Sequence, residues 1–318
     1  MRNQAFQTPS PVPQASKPTP VPGSSIPAGP LSELAASKRD HGRAIGNILL
    51  DAGRLSQEDV DEIRAYAGKN GMRFGDAAVQ MNRATPEDVE FALSRQFNYA
   101  VFPQDLEGAV DPSVIAGHDP QSAVVEELRT VRSRLLLGWL NTAERNVLAI
   151  TSPERGDGRS WLAANLSTVF AQAGMRTLLI DADLRRPQQH RLFNIDNEIG
   201  LSELLTGRRA GKDIAHRIHP QLRLFVVTAG MVPPNPQELL VRESFDFVLD
   251  RFAEQYDVVV LDTPPATESA DAEILAARAG AAILMMRRNS TRQARLLQAM
   301  DCLTRSGTKV IGTVINDH

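Results

Sequence analysis

The chain has 318 residues, 42% of them hydrophobic, which is enough to bury a core and corresponds to about two domains of ordinary size; a disulfide-stapled miniprotein is excluded. Its 35 Lys and Arg against 38 Asp and Glu leave a net charge of −3, so bulk electrostatics give no case for nucleic acid or an anionic membrane as partner. The single cysteine, Cys302, excludes an internal disulfide, and no second thiol or histidine cluster accompanies it to make a zinc site.

Eight of the 20 prolines fall in the first 30 residues. Residues 1–38, with PSPVPQASKPTPVPGSSIPAGP, are too poor in aromatic and aliphatic side chains to offset the entropy of folding, and they predict a disordered, polyproline-flavoured tether. No apolar run follows Met1 as in a signal peptide, and none approaches the roughly 18 residues of a membrane span. The expectation is a soluble cytoplasmic protein with at most an indirect membrane role.

Residues 40–103 contain an internal repeat: RAIGNILLDAGRLSQEDVDEI, starting at Arg43, recurs 29 residues later as MRFGDAAVQMNRATPEDVEFA, starting at Met72. Each copy opens a short helix with an apolar residue and glycine (Ile45-Gly46, Phe74-Gly75), turns, and restarts at Ser56 or Thr85. Those hydroxyls, with Asp59 or Asp88 three positions on, read as helix N-caps followed by an acidic first turn. Two helical hairpins packed on one another are predicted, because neither buries its apolar face alone.

Residues 104–120 read as a linker. From Gln121 onward a helix is followed by alternating strands and helices, with strands predicted at 146–151, 177–182, 222–227, 257–261, 281–286 and 309–315 and helices including 239–252 and 292–303. This is the pattern of an α/β fold with a mostly parallel sheet covered on both faces, which binds ligands at the carboxyl ends of its strands.

The first strand runs into TSPERGDGRSW. Gly156, Asp157, Gly158, Arg159, Ser160 and Trp161 form a glycine-rich turn into a helix, the arrangement that points successive N–H groups and a helix N-terminus at phosphate. Arg159 stands where such loops usually carry the lysine that reaches the β- and γ-phosphates, and Ser160 where a hydroxyl holds Mg²⁺. Strand ends supply Asp181 and Asp183, followed by Arg185 and Arg186, and farther on Asp262 before Thr263-Pro264-Pro265. Carboxylates there suit Mg²⁺ coordination and activation of an attacking hydroxyl; the plain alternative is that they cap strands or pair with the arginines. In the helix before the loop, Val124, Leu128, Val131 and Leu135 form an apolar stripe and Glu126, Arg129 and Arg132 line another face. His190 reads as a surface residue and Cys302 as a small core filler of the last helix.

From Gln121 to Asn316 the sequence resembles the bacterial tyrosine kinases of capsule and exopolysaccharide synthesis, which are P-loop ATPases. The matches include the Walker A position (Gly156 to Ser160), D-x-D-x-R at Asp181, Asp183 and Arg185, the Walker B position at Asp262, the blocks GLSELLTG and PPNPQELL, Asp271-Ala272 and the closing VIGTVIN. The resemblance implies ATP and Mg²⁺ as cofactors, catalysis by Arg159, Asp181, Asp183 and Asp262, metal binding by Ser160, Asp181 and Asp262, and a homo-oligomeric ring formed through Glu126, Arg129 and Arg132. It further implies a membrane chain-length determinant, or polysaccharide co-polymerase, as partner, and hence a cytoplasmic location peripheral to the inner membrane. Residues 40–103 resemble the N-terminal domain of type II secretion ATPases: Arg73, Gly75, Leu93 and Gln96 keep its motif in the second copy, whereas the first has Ala44 and Ala67 at two motif positions. Some relatives of that domain bind cyclic di-GMP; a protein-docking role is the competing reading.

The family's autophosphorylating members carry a C-terminal tyrosine cluster. The tyrosines here are Tyr66, Tyr99 and Tyr256, the last at a helix-to-strand junction, so phosphorylation of the chain's own tail is not expected. Two functional readings follow: a kinase acting on a partner's tyrosines, and an ATP-dependent regulatory scaffold with weak chemistry. A partitioning ATPase of the same P-loop class fits less well, since its loop begins with lysine where this chain has Glu154.

Overall fold

The structure, a computed structural model, describes residues 45–97, 102, 110–141, 145–207 and 214–317. The proline-rich segment 1–38, Arg43 and Ala44, residues 104–109 of the linker, Tyr99 and the side chain of Gln96 lie outside the described residues.

The repeat forms four helices, α1 (Ile45–Asp51), α2 (Gln57–Asn70), α3 (Phe74–Gln80) and α4 (Pro86–Phe97). The first helix of each copy packs mainly on the second helix of the other, α1 on α4 and α3 on α2, so that Ile48, Leu49, Val60, Ile63, Ala77 and Ala78 share one core. Close approach explains the paired glycines: a Cβ on Gly75 would sit 2.7 Å from Val89, and one on Gly46 2.9 Å from the Phe74 ring. The predicted caps are present as full capping boxes. Asp59 N–H donates to Ser56 Oγ while Ser56 N–H donates to Asp59, and Thr85 and Asp88 repeat the exchange.

The remainder is built on a seven-stranded sheet of order β3-β4-β2-β5-β1-β6-β7. Its strands are β1 (Val147–Thr151), β2 (Thr177–Asp181), β3 (Ala215–Arg217), β4 (Leu224–Val227), β5 (Val258–Asp262), β6 (Ala281–Arg287) and β7 (Lys309–Asn316). All pairings are parallel except β3 with β4. Alternation along the strands divides their side chains between two cores: Leu148 and Ile150 of β1 face one, Val147 and Ala149 the other. The helix α7 (Arg159–Gln172), which follows β1, covers the first face with Leu162, Leu166 and Phe170; Leu239, Phe245 and Leu275 cover the second.

Several expectations need correction. The edge strand β3 is an addition; its His216 and Arg217 gave no apolar run to find it by. The single helix expected over 239–252 is two, Pro236–Val241 and Glu243–Gln255, interrupted where Arg242 is extended at φ −64° and ψ 147°. The P-loop helix begins at Arg159, two residues before Trp161. After a short helix α5 (Ile115–His118), the buried stripe residues of α6 (Ala123–Leu135) are Val125, Leu128 and Leu135, while Val124 is half-buried. Cys302 is half-buried, with Arg305 Nη2 at 3.6 Å from its sulfur, and so is not a core filler. Tyr256 is buried at its junction as expected. Among the described residues no helix is long and apolar enough to cross a membrane.

Candidate phosphate and cation site

The loop between β1 and α7 closes over the carboxyl ends of the central strands. Gly156 and Gly158 adopt φ of 81° and 105°, a region that side-chain-bearing residues seldom enter, and the first helical bond runs from Leu162 N–H to Gly158 O. Among the described residues none accepts from the backbone N–H groups of Gly156 through Ser160. A run of unpartnered donors at a helix N-terminus is a ready anion cradle. The Asp157 side chain does not face it. Its carboxylate, 2% exposed, accepts from Glu154 N–H at 2.9 Å and from Thr291 Oγ at 2.8 Å, and its carbonyl accepts from Asn316 Nδ2 at 3.2 Å. Asp157 is thus a brace for the loop, and the bracing residues Thr291 and Asn316 come from distant parts of the chain.

Arg159 is folded into the floor of the loop. Its Nε donates to Thr263 O at 2.9 Å, and its Nη1 to Ser152 Oγ at 2.8 Å and Glu154 O at 3.0 Å. Nη2 lies 4.0 Å from Asp183 Oδ2. The guanidinium therefore ties the loop to the end of β5 and leaves one nitrogen directed at an acidic residue. Trp161 is half-buried in the first turn of α7, packed against the core.

Asp181 and Asp262 are register partners at the tips of neighbouring strands β2 and β5. Asp181 Oδ2 accepts from the N–H groups of Gln188 and Gln189 at 2.9 and 2.8 Å; Asp262 Oδ2 accepts from Gln189 Nε2 at 2.7 Å, and the Ser160 hydroxyl also bonds Asp262. The other oxygen of each carboxylate is buried without a partner. Burial pushes the Asp262 carboxyl up to about 6, against the opposing pull of the Arg159 guanidinium and the bonds from Gln189 and Ser160. Burial, reinforced by the Asp262 charge, pushes Asp181 well above the usual carboxylate range. Two enclosed carboxylates with orphaned oxygens and a neighbouring hydroxyl suit a divalent cation, which would satisfy both oxygens at once. Asp183, also raised by burial, lines a cavity of about 110 Å³ with Arg155, Arg186 and Glu268.

The Arg185 side chain pairs with buried Asp271 at 2.6 Å rather than with Asp181 or Asp262, and the backbone N–H groups of Arg185 and Arg186 donate to Asp183 Oδ1 at 3.3 and 3.0 Å. In α6, Arg129 bonds Glu126 at 3.0 Å and Pro120 O at 2.7 Å, whereas Arg132 Nη1 donates to Val169 O at 3.1 Å near the far end of α7. The three therefore do not converge within one chain. His190 is half-buried rather than superficial, and burial lowers its pKa.

A family model described as an AAA domain matches residues 145–290. The chain is 35% identical to the tyrosine-protein kinase YwqD of Bacillus subtilis over 64% of its own length and 85% of that protein's. The chain belongs to the bacterial tyrosine-protein kinase family. The likeness extends to three dimensions: the kinase domain of the Escherichia coli tyrosine kinase ETK superposes with a TM-score of 0.61 at 33% identity, covering 64% of this chain and 79% of that domain. Against the full tyrosine-protein kinase etk of E. coli K12, 34% identical, the chain spans 28% of the relative's length. Within this bacterial tyrosine-kinase frame, Gly156 to Ser160, Asp181, Asp183 and Asp262 gather at one end of the sheet, whereas Gln189, Thr291 and Asn316 join them without having been singled out from the sequence.

Proposed function

We propose that the chain binds ATP with Mg²⁺ and transfers the γ-phosphoryl group to a tyrosine hydroxyl of a partner protein. The observation that carries this reading is the combination, at one end of the sheet, of a row of N–H groups without acceptors among the described residues and two side-by-side carboxylates with orphaned oxygens. The N–H groups of residues 156–160 and Nη2 of Arg159, the guanidinium nitrogen that lies 4.0 Å from Asp183, would hold the phosphates; Ser160, Asp181 and Asp262 would hold the cation, which when bound neutralises phosphate charge. Asp183 is the carboxylate nearest an opening, while Asp181 is sealed behind it at 0% exposure. The incoming phenol oxygen attacks the γ-phosphorus, the bond to the β–γ bridging oxygen breaks with ADP as leaving group, and the phenolic proton passes to Asp183. The partner in this reading is a membrane chain-length determinant of exopolysaccharide synthesis, which places the chain at the cytoplasmic side of the inner membrane. Exposed Glu126, with Arg129 and Arg132, is the proposed contact of a homo-oligomeric ring, and the repeat is a docking module whose candidate small ligand is cyclic di-GMP.

The test is ATP hydrolysis and phosphotyrosine formation on the cytoplasmic fragment of such a partner, comparing wild type with Asp181→Asn. Absence of both activities in the wild type sinks the enzymatic reading. A second reading, an ATP-responsive scaffold with weak chemistry, is favoured by the inward fold of Arg159; it expects nucleotide binding and a change of oligomeric state without transfer. Calorimetric titration of the full chain with cyclic di-GMP decides that ligand, flat heats removing it.

A further inference from the structure

We infer that Gln189 is a positioning residue of the cation site, its side-chain oxygen acting as an acceptor for the metal or its water; the inference rests on the nucleotide reading above. Gln189 is completely buried at the start of a short helix, Gln189–Leu192. It touches all three parts of the site. Its backbone N–H donates to Asp181 Oδ2 at 2.8 Å, and its side-chain amide nitrogen donates to Asp262 Oδ2 at 2.7 Å and to Ser160 O at 3.1 Å.

The amide's orientation is fixed by chemistry. A main-chain carbonyl only accepts, so the atom facing Ser160 O is the nitrogen whatever the protonation of Asp262. With the nitrogen engaged twice, Oε1 points elsewhere, and it is buried without a partner, as are Asp181 Oδ1 and Asp262 Oδ1. A glutamine placed only to brace Asp262 would be expected to find a donor for its oxygen, because a buried unpaired acceptor costs about 1–3 kcal/mol. Three orphaned oxygens on residues already bonded to one another are satisfied together by a hydrated divalent cation.

The experiment uses the full chain with Mn²⁺ as paramagnetic probe and ADP, free Mn²⁺ being counted by its resonance signal, and ADP affinity measured separately in chelator. Gln189→Met keeps the length and the backbone bond to Asp181 but removes the amide; Gln189→Glu keeps an acceptor and loses the donors. In Gln189→Met, Mn²⁺ affinity in the presence of ADP is expected to fall about tenfold or more, with metal-free ADP affinity unchanged. Gln189→Glu is expected to hold Mn²⁺ within about threefold of wild type while melting at a lower temperature without metal, because it sets a third carboxylate beside Asp181 and Asp262. Wild-type Mn²⁺ affinity in Gln189→Met overturns the inference, as does an equal loss in both variants, which would leave only the bracing role. If Gln189→Met does not fold, Gln189→Asn, which withdraws the amide by one methylene, replaces it with the same expected loss. Failure of the wild type to bind Mn²⁺ with ADP is a different result: it sinks the nucleotide reading itself.

Discussion

Arg159 Nε donates to the carbonyl of Thr263 at 2.9 Å, joining the phosphate loop to the residue that follows the β5 carboxylate. With the two bonds from Nη1 to Ser152 and Glu154, three guanidinium bonds stay within the chain. A lysine has no planar fork and cannot span these acceptors. Arg159→Lys is expected to lower the stability of the nucleotide-free protein by about 1–3 kcal/mol and to bind ATP more tightly, since phosphate oxygens become the best acceptors its ammonium can reach. Arg159→Ala loses both stability and nucleotide affinity. Thermal melts and ATP calorimetry on the same samples check this; weaker ATP binding by the lysine variant would mean that the fork itself grips the phosphates.

A buried carboxylate destabilises its own charged form, and this gives a pH signature. The folded-state value of about 6 for Asp262 lies above 3.8, so the native chain holds that proton more tightly than the unfolded chain. Its contribution is fully present below about pH 4 and is lost as pH rises through about 6, on the order of 3 kcal/mol in all. Asp262→Asn removes the titration. The metal-free variant is therefore expected to melt several degrees above wild type near pH 7.5, to match it more closely near pH 4.5, and to lose its response to Mg²⁺ with nucleotide. Melting curves across that range decide it; parallel profiles for the two proteins would show that Asp262 is ionised throughout.

Much of this site was legible because its parts announce themselves locally. Glycines before a helix and aspartates at the ends of apolar strands mark Gly156 to Ser160, Asp181 and Asp262 from their immediate neighbours. The central strands were legible for the same reason, being uninterrupted apolar runs such as VVVL in β5. Gln189 sits in the polar stretch RRPQQH, where nothing local separates a buried amide from a solvated one. Its role arises only when Asp181 and Asp262 come into register. Arg132 illustrates the converse: its spacing with Glu126 and Arg129 suggested a shared face, but its long side chain turns inward to Val169. Helical periodicity fixes where a Cβ points and says little of where a guanidinium ends.

The brace between Asp157 and Thr291 spans 134 positions of sequence and makes the loop geometry depend on the turn after β6. Thr291 also accepts from Arg287 N–H at 2.8 Å, so its hydroxyl donates to one side and accepts from the other. Thr291→Val keeps the shape and removes both bonds, leaving one Asp157 oxygen short of a donor. A loss of about 1.5–3 kcal/mol is expected, as for hydrogen bonds to charged groups, together with weaker ADP binding. Adding Asp157→Asn should cost less in the Thr291→Val background than alone, because the two changes break the same bond. Strict additivity in a double-mutant cycle would mean that the bond contributes nothing to holding the loop.

The repeat carries its own internal check. Arg54 of the first copy pairs with Asp88 of the second, and Arg83 of the second pairs with Asp59 of the first, so the 29-residue offset maps one ion pair onto the other. Both aspartates also close capping boxes, and the bonds from Ser56 and Thr85 hold their pKa values below the usual carboxylate range. Arg54 adds a stack at 4.1 Å over the Phe91 ring. Partly exposed pairs contribute about 0–1 kcal/mol and a helix cap about 1 kcal/mol, so Asp88→Ala should cost more than the ion pair alone explains. Asp88→Asn keeps a capping oxygen and should recover most of the cap but not the pair, with a coupling to Arg54→Gln below about 1 kcal/mol. The counterpart changes at Asp59 and Arg83 are expected to follow in the same order and sign. Because depressed carboxylates stabilise only above their unfolded pKa, the losses should shrink as pH falls below about 4. Exchange protection of amides in α2 and α4, followed through that pH range, reports each cap separately, and protection lost in only one helix would break the equivalence of the two copies.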